Sequence, residues 1–357
     1  VMIMAGGTGG HVYPALAVAR ALQEKSRDVV WLGTHRGIEA RVVPAAGIPI
    51  EWVAVSGLRG KGALTLLLAP FRLLFALLQS LAVMLRHRPA AVLGMGGFVS
   101  GPGGLAAWLT RRPLVIHEQN AVAGLTNRLL ARLARVVLHA CPGSLNSSRS
   151  VETVGNPVRV DIAAIDAPDA RLAGRSGPLR LLVLGGSQGA LALNEAVPAA
   201  LALLPNTLRP VVRHQAGERT IQAARDAYAE HGVDAELHSF IEDMAEAYAW
   251  ADLVICRAGA LTVAELSAAG LPAIFVPFPA AVDDHQTANA GPMAEAGAAT
   301  ILQQSELTGE SLAELLRAWL SDRSSLLERA RCSRSLAMPD SLGRITAHCL
   351  AAAGATP

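Results

Sequence analysis

Short apolar runs alternate with longer stretches of helical periodicity along the whole chain, and that alternation predicts a parallel α/β architecture. In the first half the runs predict strands near Met2–Met4, Val29–Leu32, Ile50–Val53, Ala91–Leu93, Leu114–Ile116 and Val136–Leu138. The patterns between them predict helices over His11–Lys25, Gly101–Leu109 and Leu125–Leu133. In the second half strands are expected at Leu181–Leu184, Pro210–Arg213, Glu236–His238, Leu253–Ile255 and Ala273–Val276. Their helices cover Ala190–Leu203, Ile221–Ala229, Leu261–Ala269 and Gln286–Glu295, and a last helical run covers Ser341–Ala353.

Two places in this pattern read alike. Met2-Ile3-Met4-Ala5-Gly6-Gly7-Thr8-Gly9-Gly10-His11 and Leu181-Leu182-Val183-Leu184-Gly185-Gly186-Ser187-Gln188-Gly189-Ala190 each read as a buried strand, a glycine turn and a helix start. Such a turn brings backbone N–H groups close to an oxyanion. A third glycine loop, Gly94-Met95-Gly96-Gly97-Phe98-Val99-Ser100-Gly101-Pro102-Gly103-Gly104, follows the Ala91–Leu93 strand. Glycine loops at the carboxyl ends of parallel strands converge on a ligand crevice. The expected fold is therefore two Rossmann-like domains facing across a cleft. Residues 1–156 form the first, 157–337 the second, and 338–357 are expected to pack back on the first. The junction is placed near Gly155-Asn156-Pro157, because proline cannot donate to a ladder. Ala163–Gly177 reads as a surface connection.

Composition narrows the classes. The 357 residues suffice for two cores, and 52% hydrophobic against 17% charged residues argues against a disordered chain. A net charge of +2 gives no reason to expect a polyanionic partner, and no nucleic acid is expected. Cys141, Cys256, Cys332 and Cys349 are widely spaced, as reduced core thiols would be. Val1 opens inside the first strand, and no stretch reads as a cleavable signal.

The loops do not suit a dinucleotide. From Gly7 the spacing reaches Gly9 and then Val12 where a third glycine is needed, and the second strand ends Trp31-Leu32-Gly33-Thr34 without a carboxylate. Gly60-Lys61 is followed by Gly62, so no ATP-type phosphate loop is present. In the second half, Cys256-Arg257-Ala258-Gly259-Ala260-Leu261-Thr262-Val263-Ala264-Glu265 follows a strand and opens a helix. Its first turn offers N–H groups at Ala260, Leu261 and Thr262, and Glu265 shares a face with Thr262. A carboxylate there can accept both hydroxyls of a ribose diol or merely complement the helix dipole. Asp283-Asp284-His285-Gln286-Thr287-Ala288-Asn289 opens another helix with a polar cluster suited to sugar hydroxyls or to capping.

Taken in order, Gly6-Gly7-Thr8-Gly9-Gly10-His11-Val12, Gly94 to Pro102, His117-Glu118-Gln119-Asn120, Val154-Gly155-Asn156-Pro157-Val158-Arg159, Gly185 to Ala190 and Ala260 to Glu265 closely resemble the MurG family of peptidoglycan N-acetylglucosaminyltransferases. The resemblance spans nearly the whole chain and implies the GT-B fold. It implies an inverting transfer of GlcNAc from UDP-GlcNAc to the C4 hydroxyl of the MurNAc unit of lipid I, undecaprenyl-diphosphate-MurNAc-pentapeptide, giving lipid II. It also implies donor contacts at Thr8, Gly9, Gly10, Asn120, Arg159, Ser187, Ile241 (to uracil), Ala260, Leu261, Thr262, Val263, Ala264, Glu265 and Gln286. Gly96, Gly97 and Ser100 are expected at the acceptor diphosphate. Around Gln286 the Ala280-Ala281-Val282 lead-in is less polar than the family pattern.

The chemistry needs a base for the acceptor hydroxyl and stabilisation of departing UDP. His11 is the expected base, since histidine ordinarily titrates near neutrality, with His117 and Glu118 as weaker alternatives. The Ala260–Glu265 helix start and Ser187 would meet the diphosphate charge, so neither a metal nor a cofactor is expected.

Ala63 to Leu85 is leucine-rich but contains Pro70, Arg72 and Gln79. Leu67, Phe71, Leu74 and Leu78 form one helical stripe, with Arg59, Lys61, Arg72, Arg86 and Arg88 nearby. A membrane span, a buried crossover helix and a surface helix dipping into an anionic leaflet are all open. A lipid-linked acceptor favours the last, placing the chain peripherally on the cytoplasmic face of the bacterial inner membrane, where other cell-wall assembly proteins are further expected partners. Rival readings are another GT-B transferase with a different acceptor, a UDP-GlcNAc 2-epimerase, or a nucleotide-sugar-binding scaffold.

Overall fold

The computed structural model describes residues 1–55, 67–145, 151–186 and 189–354. The chain divides into two compact units, residues 1–157 with 338–357, and residues 158–337.

The first unit runs β1 (Met2–Met4), α1 (Gly9–Glu24), β2 (Val30–Gly33), α2 (Glu39–Ala45), β3 (Ile50–Trp52), α3 (Ala69–His87), β4 (Val92–Gly94), α4 (Ser100–Leu109), β5 (Leu114–Glu118), α5 (Leu125–Leu130), β6 (Val136–His139) and β7 (Val151–Thr153). Its seven strands are all parallel in the order β3-β2-β1-β4-β5-β6-β7. Central strands buried on both faces must be apolar throughout, and β1 shows this. Its side chains alternate: Ile3 joins Leu93, Val115 and Leu138 under α1, while Met2 and Met4 join Val92, Ile116 and Val137 under α3 and α4. Register runs Met4 beside Leu32 on one side and Gly94 on the other. The strand order reverses between β1 and β4, so their following loops flank the switch point where ligands of open α/β sheets bind.

The second unit runs α6 (Val160–Ala163), α7 (Pro168–Leu172), β8 (Arg180–Leu184), α8 (Leu191–Ala202), β9 (Val211–Gln215), α9 (Ile221–Glu230), β10 (Glu236–His238), α10 (Met244–Trp250), β11 (Leu253–Cys256), α11 (Ala260–Ala269), β12 (Ala273–Phe275), α12 (His285–Glu295), β13 (Ala299–Ile301), α13 (Gly309–Leu320) and α14 (Arg323–Ser335). All six strands are parallel, ordered β10-β9-β8-β11-β12-β13, with the switch point between β8 and β11. The final helix, α15 (Ser341–Ala352), belongs to the first unit: Ile345, Cys349 and Leu350 are buried with Val12, Ala15 and Ala19 of α1.

The 163–177 connection is more than a surface strap. Arg171 donates to the carbonyls of Ala251, Ala269 and Gly270 at 2.7, 3.4 and 2.8 Å, and Arg175 donates to Ala249, Trp250 and the Asp252 carboxylate. Two helix C-termini, of α10 and α11, thereby receive the cations their dipoles favour. Burial pulls the Arg171 guanidinium down to about 10. The four cysteines are free thiols.

Candidate active site

In the first unit the turns after β1 and β4 abut. Gly7, Gly96 and Gly97 hold φ of 94°, 95° and 83°, values that a side chain rarely tolerates. A Cβ on Gly97 would lie 2.2 Å from the Gly6 carbonyl oxygen, and one on Gly96 would lie 2.7 Å from the His11 ring. Glycine is therefore what lets His11 stand over the second turn. Thr8 and Gly10 are exposed and Gly9 half-buried at the start of α1, whose first turn has no side-chain cap.

His11 Nδ1 lies 3.1 Å from Gln119 Oε1, and Gln119 Nε2 donates to the Met95 carbonyl at 2.9 Å. The ring is half-buried, while Gln119 is closed off from solvent. Asn156 Nδ2 donates to the Gln119 carbonyl at 3.0 Å, tying the end of β5 to the end of the unit's first segment.

The two weaker candidates for the base are buried and hydrogen-bonded within the unit. His117 is wholly buried, its Nε2 is 2.8 Å from the Gly155 carbonyl, and burial holds its pKa down to about 4. Glu118 is also buried, accepting from the Asn120 and Gly124 N–H groups and from the Asn127 amide. Neither side chain is open to solvent. Half-buried Asn120 is held by Glu118 through both its backbone and side-chain nitrogens. Ser100 is buried too, and its hydroxyl donates to the Gly96 and Met4 carbonyls at 2.8 and 3.2 Å. In this position it locks the glycine turn.

Sequence reasoning missed Glu39. This fully buried carboxylate accepts from the Gly7 N–H, the Thr34 N–H and the Thr34 hydroxyl at 2.9, 3.1 and 2.7 Å. A Cβ on Gly6, Gly33 or Gly37 would collide with its side chain. An acidic residue closely preceded by glycines at Gly33 and Gly37 was the only signal in the sequence.

In the second unit, α11 begins after β11 with Gly259 as its N-cap and no side chain capping it. The Val263 N–H donates to the Gly259 carbonyl at 3.0 Å. Ala260 to Ala264 are all partly accessible. Glu265 is half-buried, and the Tyr248 hydroxyl, itself buried, donates to its Oε2 at 3.0 Å. Burial raises the Glu265 carboxyl above its ordinary value, opposed by the Tyr248 hydrogen bond and by the positive charge of Arg159. Exposed Arg159 pairs with Asp161 at 3.1 Å.

Other expected donor residues are already engaged. The Ile241 N–H donates to Gln215 Oε1 at 3.0 Å. Gln286 Oε1 accepts from the Phe278 N–H at 2.9 Å, which folds the amide onto the loop before it. Asp283 and Asp284 enter α12 at φ of 55° and 48°, an uncommon conformation for residues with side chains. Arg257, quoted in the motif without a role, donates to the carbonyls of Val276 and Pro277 and to Gln304 Oε1, so it joins the loops after β11, β12 and β13. Ser187, Arg59 and Lys61 lie outside the described residues.

Comparison with known proteins agrees with this arrangement in both units. Residues 1–139 match the glycosyltransferase family 28 N-terminal domain and residues 180–345 the corresponding C-terminal domain. The UDP-N-acetylglucosamine–N-acetylmuramyl-(pentapeptide) pyrophosphoryl-undecaprenol N-acetylglucosamine transferase of Alkalilimnicola ehrlichii is 63% identical over 350 residues, covering 98% of each chain. The protein so named from Marinobacter nauticus is 57% identical, over 99% of this chain and 97% of its own. Among solved structures, Acinetobacter baumannii MurG superposes with a TM-score of 0.87 at 43% identity, over 98% of this chain and 99% of its own. The calicheamicin glycosyltransferase CalG4, at 19% identity and a TM-score of 0.71, shares the fold. The chain is an α/β glycosyltransferase of family 28 and belongs to the UDP-N-acetylglucosamine–N-acetylmuramyl-(pentapeptide) pyrophosphoryl-undecaprenol N-acetylglucosamine transferases, the MurG family.

Proposed function

We propose that this chain moves N-acetylglucosamine from UDP-GlcNAc to the C4 hydroxyl of the MurNAc unit of an undecaprenyl-diphosphate-linked MurNAc-pentapeptide, inverting the anomeric centre. The observation that carries the reading is full-length likeness, 63% identity over 98% of both chains, to a relative named for this transfer. The local geometry supports it unit by unit.

In the second unit the N-terminus of α11, where the N-cap is a glycine, offers amides and a helix dipole of the kind a departing diphosphate needs. Glu265, one turn in, would take the ribose hydroxyls, with Arg159, Ile241 and Gln286 around the rest of the donor. In the first unit His11 would remove the proton of the attacking hydroxyl, and Thr8, Gly9 and Gly10 would meet the sugar and phosphate. Gly96 and Gly97 would present backbone N–H groups to the acceptor diphosphate.

The acceptor is lipid-linked, and α3 suits a membrane surface. It is the one described helix long and apolar enough to cross a bilayer, yet it packs beside α4 as the β3–β4 crossover. Only Ala69, Ala76, Ser80, Val83 and Met84 of it are buried. Leu67, two residues ahead of it, and Phe71, Leu74 and Leu78 are 72%, 69%, 55% and 54% exposed, so the buried-helix reading fails. Beyond the end of α4, Trp108, Arg111, Arg112 and Arg135 line an open cavity of about 360 Å³. The Arg112 Nε there is buried without a hydrogen-bond partner. Apolar side chains with arginines near them fit peripheral binding to an anionic leaflet, here assigned to the cytoplasmic face.

Incubating the chain with UDP-GlcNAc, with and without a lipid I analogue, tests the reaction. Acceptor-dependent release of UDP with a β1→4 product is expected. Epimerised donor without acceptor, or binding without turnover, would overturn it.

A further inference from the structure

We propose that Gln119 is the positioning residue that sets the tautomer of His11. The proposal rests on His11 being the base and adds how that base is kept competent. The Met95 carbonyl can only accept, so the end of the Gln119 amide that faces it at 2.9 Å is the NH₂. The opposite end, 3.1 Å from His11 Nδ1, is then the oxygen. An amide oxygen can only accept, so the hydrogen of the neutral imidazole resides on Nδ1 and the lone pair on Nε2. A base working through Nε2 needs that form.

The arrangement is held on three sides. Gln119 is buried, its backbone carbonyl is fixed by the Asn156 amide, and the ring lies close against Gly96, 2.7 Å from where a Cβ on that glycine would stand. A buried amide that cannot flip without setting its oxygen against the Met95 carbonyl oxygen is a rigid reference for the ring. Its neutrality also matters. A carboxylate in that place would favour imidazolium, which has no lone pair to accept the hydroxyl proton.

Nitrogen-15 histidine NMR of the unaltered chain reads the tautomer directly. The Nδ1–H form is expected for His11, and an Nε2–H form would overturn the proposal. Activity of variants gives a second readout. Gln119→Met, similar in shape but without the hydrogen bond, should lower kcat by about tenfold or more with the KM for UDP-GlcNAc within about twofold. Gln119→Glu should move the acidic limb of the kcat/KM profile up by about one pH unit and recover activity at higher pH. Wild-type kcat in Gln119→Met together with an unshifted limb in Gln119→Glu would overturn the positioning role. His11→Ala separates the two readings: full kcat there removes the base itself, whereas its loss beside silent Gln119 variants removes the positioning role alone.

Discussion

Glu39 Oε2 accepts the Gly7 N–H at 2.9 Å, so a carboxylate rooted at the start of α2 holds the first glycine turn from beneath. Its other oxygen takes both Thr34 donors. Replacing it strands three part-buried donors. Glu39→Ala should cost about 2–5 kcal/mol in denaturant unfolding, and Glu39→Gln less, about 1–3, because an NH₂ must then face one of the N–H groups. Both should lower kcat, since Thr8 and His11 are carried on the turn that Gly7 opens.

Glu265 poses function against stability. Burial raises its carboxyl, so the folded chain holds that proton more tightly than the unfolded chain does. Ionised Glu265 therefore costs stability above its folded pKa, and the cost is relieved as pH falls through it. Glu265→Gln should keep or raise the neutral-pH Tm while weakening UDP-GlcNAc about tenfold by calorimetry. A lower Tm with unchanged donor affinity would contradict both statements.

Acid should unfold this protein through its histidines. His117 and His214 are buried, and burial holds them down to about 4 and about 3. From about pH 6.5 downward the unfolded chain takes up protons that the folded chain refuses, so stability falls with pH until each folded pKa is reached. His117 withdraws roughly 3 kcal/mol across its window and His214, with the wider one, roughly 5. His214→Leu should flatten the slope of unfolding free energy between pH 6 and about 4, whatever its effect on absolute stability.

Membrane binding should separate from catalysis. Phe71→Ser combined with Arg72→Glu is expected to reduce sedimentation with anionic vesicles while activity on a short-chain soluble acceptor is retained. Equal vesicle binding would dismiss this face.

Much of the fold was legible because strands buried on both faces must be apolar runs, and β1, β4, β5, β8 and β11 are such runs. The strands left unread, β7 and β13, are edge strands with Glu152 and Thr300 inside them, so their composition carries no such mark. The glycine turns were readable by spacing, and their geometry depends on them at Gly96 and Gly97. Second-layer partners were not. Nothing local to Gly7 points to Glu39, and nothing near Glu265 points to Tyr248, because these pairs meet only after the sheet has formed. The inward turn of Ser100 was not legible for the same reason: its hydroxyl meets the Met4 and Gly96 carbonyls only in the folded unit.

The last helix carries a consequence for biosynthesis. Ile345, Cys349 and Leu350 complete a core whose other members begin at Ile3, so the amino-terminal half cannot finish folding until the carboxyl end has left the ribosome. A fragment ending at residue 157 would expose the apolar side of α1, and restoring it should take residues 338–354 as a fused or added peptide. For this chain, shortening the tail trims the first-made half rather than the last.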